Sequence, residues 1–163
     1  IVDQYGLYKV EVIGDAYYVV SGCPVVRDPV ENAERCVDAS MAMLRTIPRV
    51  CDDSSIQIRV GVHSGSVIAG VVGVKDPRYH LFGPTVTTAM KMESHGIPSK
   101  VHVSKAVVDR LNAGHRNYRM ESRGNNAAVP GQEETFIILS EDRTAKKSVE
   151  NETKSEGLRK RNV

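Results

Sequence analysis

The segment VEVIGDAYYVV, Val10 to Val20, constrains the fold more than any other stretch, because two runs rich in Val, Ile and Tyr are separated by Gly14-Asp15. Branched and aromatic residues favour strands, and a two-residue connection containing glycine closes antiparallel strands because glycine tolerates the positive φ that such turns need. The chain therefore opens with a hairpin that has Asp15 at its tip. Strict alternation along the first strand places Lys9, Glu11 and Ile13 on one face and Val10 and Val12 on the other. Taken in isolation, Asp15 is turn chemistry and Glu11 is a solvated strand residue.

Downstream, DPVENAERCVDASMAMLRTI carries Val30, Ala33, Val37, Met41 and Leu44 at spacings of three and four, which predicts a helix with one apolar face. Asp28 before Pro29 predicts its N-cap. SSIQIRVGVHSGSVIAGVVG predicts a second hairpin around His63-Ser64-Gly65, with Ile56, Ile58, Val60 and Val62 at period two. FGPTVTTAMKMESHG reads as a helix from Pro84 to Gly96 that buries Val86, Ala89 and Met90. KVHVS is a short strand, Ser104 is placed to cap the helix KAVVDRLNAG, and YRMESRG and ETFIIL are the last strands. From Glu141 to Val163 charges of both signs dominate, so that segment predicts a disordered tail after a domain spanning 1–140. Helical and strand periods mixed in this way define an α+β or α/β class with a mixed sheet.

With 163 residues, 40% of them hydrophobic, the chain is sized for one domain with a core. Lys plus Arg total 22 against 20 for Asp plus Glu, a balance that supplies no field for nucleic acid or for a membrane surface. Cys23, Cys36 and Cys51 are odd in number and lack C-x-x-C spacing, which fits free thiols in the cytosol. Neither a spanning apolar run nor a signal peptide is visible, and an opening at Ile1 that enters almost directly into a strand reads as a fragment. The glycines at 61, 65, 70 and 73 form no phosphate loop, because no G-K-[ST] or G-x-G-x-x-G accompanies them, and they read instead as permitting a tight turn and close backbone contact in strands. The five histidines lack zinc-helix spacing, and Ser64 and Ser66 sit in no nucleophile elbow.

Three motifs, YKVEVIGDAYYVVSGCP, IRVGVHSGSVIAGVVGVKDPRYHLFG and TVTTAMKMESHG, in this order and separation, resemble the catalytic domain of the nucleotidyl cyclases, closest to the guanylyl cyclases, across about Ile1 to Leu139. The resemblance implies an α+β, ferredoxin-like mixed sheet with helices packed against it, here without its first strand and helices. Two such domains would pair head to tail around GTP, with Mg2+ or Mn2+ as cofactor. In that pattern Asp15 is one of two aspartates that bind two metal ions, and its companion lies on a strand upstream of this sequence. Glu11 takes the position that reads guanine: an ionised carboxylate only accepts hydrogen bonds, so it complements guanine's N–H donors and opposes the N1 acceptor of adenine. His80 stands where guanylyl cyclases typically carry cysteine, and an imidazole still donates to guanine O6.

Departures from the pattern concentrate on one helix. Active members usually read FGDTVNTASRMES, whose asparagine orients the ribose and whose arginine steadies the transferring phosphate. The equivalent positions here are Thr87 and Lys91, and Pro84 replaces the acidic residue. Lysine lacks arginine's planar fork, and threonine has a shorter reach and one donor. The family's KGKG lysine also has no counterpart in AAVPGQEET, where Ala128 and Pro130 stand. The resemblance thus implies a metal side that keeps Asp15 and an opposite side with weakened contacts. The expected partner is a second copy in a homodimer or, preferred, an intact cyclase domain in a heterodimer. The alternative is a catalytically impaired pseudo-cyclase that binds nucleotide or dimerises without turnover.

Overall fold

A computed structural model describes residues 1–51, 55–126 and 134–142. The expected tail beyond 142, together with Ala128 and Pro130, lies outside the described residues. The chain order is β1 (Tyr8–Ile13), β2 (Ala16–Val20), α1 (Pro29–Val50), β3 (Val60–Val62), β4 (Ile68–Val72), β5 (Arg78–Phe82), α2 (Pro84–Ser94), β6 (Val101–Ser104), α3 (Lys105–Ala113), β7 (Asn117–Asn125) and β8 (Glu134–Asp142). β8 thus extends two residues past the expected end of the domain at 140.

A four-stranded mixed sheet in the order β3-β6-β8-β7 forms the centre. β3 runs parallel to β6, and the other two pairings are antiparallel. Alternation along the short strands β3 and β6 divides their side chains between two helical layers. Val60, Val62, Val101 and Val103 face α1 and α3, where they pack with Ala33, Val37, Val107, Val108 and Leu111. Full burial of each larger aliphatic among them contributes about 1.5–3 kcal/mol. Gly61 and His102, paired across β3 and β6, face α2 instead. α1 begins as its sequence predicts: Asp28 Oδ1 accepts from Val30 N at 2.8 Å and Glu31 N at 3.2 Å, and Pro29 occupies the first turn. Its Asp38 carboxylate takes a hydrogen bond from Tyr118 Oη at 3.1 Å and pairs with Arg116, pinning the helix to β7. Burial raises the Asp38 pKa, an effect that Arg116 only partly offsets.

Two hairpins lie apart from this sheet, β1-β2 and β4-β5. The first confirms the Gly14-Asp15 turn, with Ile13 opposite Ala16 and positive φ (62°) at Gly14. The expected second hairpin does not form: β3 pairs with β6 and β4 with β5. Ile56 and Ile58 precede β3 without joining a strand. Period-two patterning marks strands but not their partners, and β3 finds a parallel neighbour some 40 residues on. The α2 stripe also differs from expectation. Thr88 and Met92 are the buried residues and Met90 is 46% exposed, because α2 lies across Gly61 rather than on the apolar core. Ser104 does stand at the N-cap position of α3, but its hydroxyl makes no capping bond and meets His63 Nδ1 at 2.7 Å.

The α2 contact at Gly61 is backbone against backbone. A Cβ there would stand 2.1 Å from Glu93 N, 2.6 Å from Met92 C and 2.7 Å from Ala89 O. Only glycine permits this approach. Gly61→Ala is therefore expected to lower the unfolding free energy by about 1–3 kcal/mol in urea denaturation, the range of an overpacked core. An unchanged midpoint and slope would show that α2 does not lie this close.

Candidate active site

The first hairpin carries a feature that no residue pattern announces. Register slips between Lys9 and Glu11, so Lys9 pairs with Val19 while Glu11 pairs with Tyr18. Val10 is the extra residue of a β-bulge, and a bulge breaks alternation. Lys9 and Glu11 consequently lie on opposite faces, which corrects the expectation that they share one. Lys9 joins Tyr17, with its ammonium 5.2 Å from the ring centroid. Glu11 shares its face with Tyr8, which pairs with Val20, and with Tyr18.

That face meets β5. The Tyr8 and Tyr79 rings stand edge to face at 5.6 Å, an arrangement favoured by the ring quadrupoles. The next residue, His80, places Nδ1 3.5 Å from Glu11 Oε1. This is ion-pair range but longer than the ~3.2 Å limit of a well-formed hydrogen bond, so the carboxylate keeps capacity to accept from another donor. Glu11 and His80 are 31% and 27% exposed, open enough to be reached from solvent. Behind them, burial and then the charges of Cys23 and Glu11 raise the Tyr18 pKa and keep the phenol protonated.

Asp15 lies elsewhere. It lines a cleft of about 1040 Å³ between the outer edges of β2 and β3, with Tyr17, Val19, Val60 and Val62 on its walls and Cys36 of α1 at its base. Each of these two strands pairs on one side only among the described residues. Burial pushes the Cys36 thiol up to about 11 against a backbone contact from Ser21, so it stays neutral. An aspartate oxygen suits a hard divalent cation. Among the described residues, however, no group of three or more His, Cys, Asp or Glu gathers to hold one, and Asp15 by itself does not complete a site.

α2 follows β5 directly, and Thr85 Oγ1 ties its first turn to the loop after β3 by donating to Ser66 O at 2.6 Å. The helix turns Thr85, Val86, Ala89 and Met90 to the cleft. At 100° per residue, Thr87 and Lys91 project from a different side, with Thr87 exposed and Lys91 half-buried. Glu11 and His80 are thus brought together, whereas Thr87 and Lys91 do not line the cleft that Asp15 lines. Gly61 bears out the expectation of close backbone contact at a strand glycine, whereas sequence reasoning missed Thr85 and the Val10 bulge. The first depends on Ser66, 19 residues away, and the second on the register with β2, and neither carries a local signal.

A second cavity of about 770 Å³, lined by Glu34, Asp38, Arg45, Arg116 and Glu141, contains none of these residues.

Comparison with known proteins identifies the class. A family model described as the adenylate and guanylate cyclase catalytic domain matches residues 1–140, and the chain belongs to that family. It is 45% identical over 129 residues to the receptor-type guanylate cyclase gcy-28 of Caenorhabditis elegans, covering 77% of this chain and 10% of that protein. The chain therefore spans about a tenth of that relative's length. Among solved structures, it resembles the guanylate cyclase domain of RhGC from Catenaria anguillulae in complex with GTP, with TM-score 0.76 and 31% identity over 86% of this chain and 76% of that one. A non-canonical dimeric guanylyl cyclase domain of the RhoGC fusion protein from Blastocladiella emersonii matches with the same TM-score, identity and coverage. The fold is accordingly the mixed α+β fold of cyclase catalytic domains, and the chain's relatives are nucleotide cyclases of the guanylyl type.

Proposed function

We propose that this chain is one half of a dimeric guanylyl cyclase site that converts GTP to cyclic GMP and pyrophosphate in intracellular signalling. The supporting observation is the Glu11–His80 pair, held where two hairpins meet, on residues of opposite hydrogen-bonding character. Glu11 accepts from the N1–H and exocyclic N–H of guanine, and His80 donates to O6. In the reaction the ribose 3′-hydroxyl forms a bond to the α-phosphorus, the α–β phosphoanhydride bond breaks, and the hydroxyl proton leaves to solvent or base. Lys91 carries the charge that meets the triphosphate, and Thr87 offers a hydroxyl to the ribose. Asp15 supplies one carboxylate for Mg2+ or Mn2+, ions that when bound polarise phosphoryl oxygens.

That Thr87 and Lys91 do not line the cleft holding Asp15 supports a two-chain site, in which the metal side of one domain faces the base and phosphate side of another. Free Cys23, Cys36 and Cys51 and the receptor-type relative support a cytosolic placement, with a parent chain anchored in a membrane. Among the described residues no helix is long and apolar enough to cross one. The non-catalytic reading draws on Thr87 and Lys91, which offer less to the transition state than asparagine and arginine.

Glu11→Lys is expected to reduce the preference for GTP over ATP by one to two orders of magnitude, since it replaces an acceptor pair with a donor; unchanged selectivity would remove Glu11 from the base. Restoring the usual pair with Thr87→Asn and Lys91→Arg is expected to raise cyclic GMP output of the homodimer roughly 100-fold, as for a recovered transition-state donor. Full-length protein bearing the native residues is expected to form cyclic GMP about two orders of magnitude faster when mixed with an intact cyclase domain than alone. Full activity alone would refute the half-site assignment, and no activity in either arm would favour the binding module.

A further inference from the structure

α2 ends against a histidine. Gly96 N turns to Glu93 O and His95 N to Lys91 O, which leaves the Met92 carbonyl among the helix-end acceptors in need of a donor. His102 on β6 provides it, with Nδ1 2.8 Å from Met92 O in a side chain that has no exposed surface. A carbonyl only accepts, so Nδ1 carries hydrogen, and in a neutral ring Nε2 is then an acceptor. Nε2 points to Arg123 Nη1 of β7 at 3.5 Å, a group that only donates and that also bonds His95 O at 2.9 Å. The neutral imidazole matches both neighbours. A protonated one would turn an N–H toward a guanidinium.

We propose that His102 is the positioning residue of α2: its Nδ1–H caps Met92 O in either charge state, and on protonation Nε2–H meets Arg123 and drives that guanidinium off His95 O, releasing the last turn of the helix. The inference rests on reading α2 as the helix that carries Thr87 and Lys91 to the nucleotide, and Lys91 directly precedes the capped residue. The charged and titratable surroundings have the required sign. β7 contributes Arg123 and the end of α2 contributes His95. Glu93 of α2 is engaged by Arg59, ahead of β3, at 2.9 Å. β3 and β8 present Gly61 and Ile137, which are uncharged. Burial first, then Arg123 and His95, hold the His102 pKa below its ordinary value, against the pull of the Met92 carbonyl. The unfolded chain thus takes up this proton more readily than the folded one. Stability from His102 is complete above about pH 6.5 and declines as pH falls below it.

Hydrogen exchange of the full chain, corrected for the intrinsic rate, tests this. Between about pH 7.5 and about pH 5, protection of the amides at the end of α2 is expected to fall roughly tenfold while α1 and α3 hold theirs. In His102→Asn, whose amide keeps a donor near the Nδ1 position but does not titrate, the fall should vanish. Constant protection of α2 in the native chain, an equal fall in all three helices, or the same fall in the variant would overturn the proposal. A cyclic GMP assay with an intact partner domain separates the two readings: pH-dependent protection without any turnover leaves the His102 cap standing and removes the catalytic role of α2.

Discussion

The contact on which the rest of the molecule depends is the one between the backbone of α2 and Gly61 of β3. It sets the distance between a helix and a sheet at a point where no side chain intervenes, so there is no soft atom to absorb an error. Because β3 and β6 are parallel and in register, the residue opposite Gly61 is fixed as His102, which reaches the end of the same helix. Glycine supplies closeness in the middle of α2 and histidine supplies a hydrogen bond at its end. The opposite face of these two strands holds the valines that seat α1 and α3. One pair of short strands thus serves a dry apolar layer on one side and a polar, closely fitted layer on the other.

The second constraint is the bulge at Val10. Without it, Tyr8 and Glu11 would fall on opposite faces, three residues apart in a structure of period two. With it, the tyrosine that docks β1 against β5 and the carboxylate that meets His80 share a face. The aromatic contact and the polar pair are therefore mechanically linked: the edge-on packing of Tyr8 on Tyr79 places the next residue of β5 beside Glu11. Bulges are common where a strand must aim a side chain, and this one aims the residue on which base discrimination would rest.

Much of this was legible in the residues, and the parts that were not share a cause. The Gly14-Asp15 turn, the Asp28 cap of α1 and the last two strands follow from local rules, in which the atoms that interact are neighbours in the chain. Family resemblance in three ordered motifs carried the class of protein, and with it the pairing of Glu11 with His80. Strand partnership was misread at β3, because alternation of Ile56, Ile58, Val60 and Val62 reports which residues are half-buried and says nothing of which strand lies alongside. The buried face of α2 was misread for a related reason. Helical periodicity favours the most apolar stripe, but a helix resting on glycine buries whatever lies at the contact, here Thr88 and Met92. The hydroxyl of Ser104 went to His63 rather than to a helix end, a choice between two acceptable partners that only the tertiary arrangement decides.

The distribution of substitutions along the chain gains meaning from the geometry. Glu11 and Asp15 lie on one hairpin but address different places, the first toward β5 and the second toward the cleft beside β2. Thr87 and Lys91 lie on a helix whose closeness to the sheet is set by Gly61 and whose end is held by His102. The scaffold of α2 is therefore intact while its outward chemistry has changed. On the proposed reading, a helix held this closely would bring a lysine, where active members carry arginine, to the phosphates as a point charge without the planar fork.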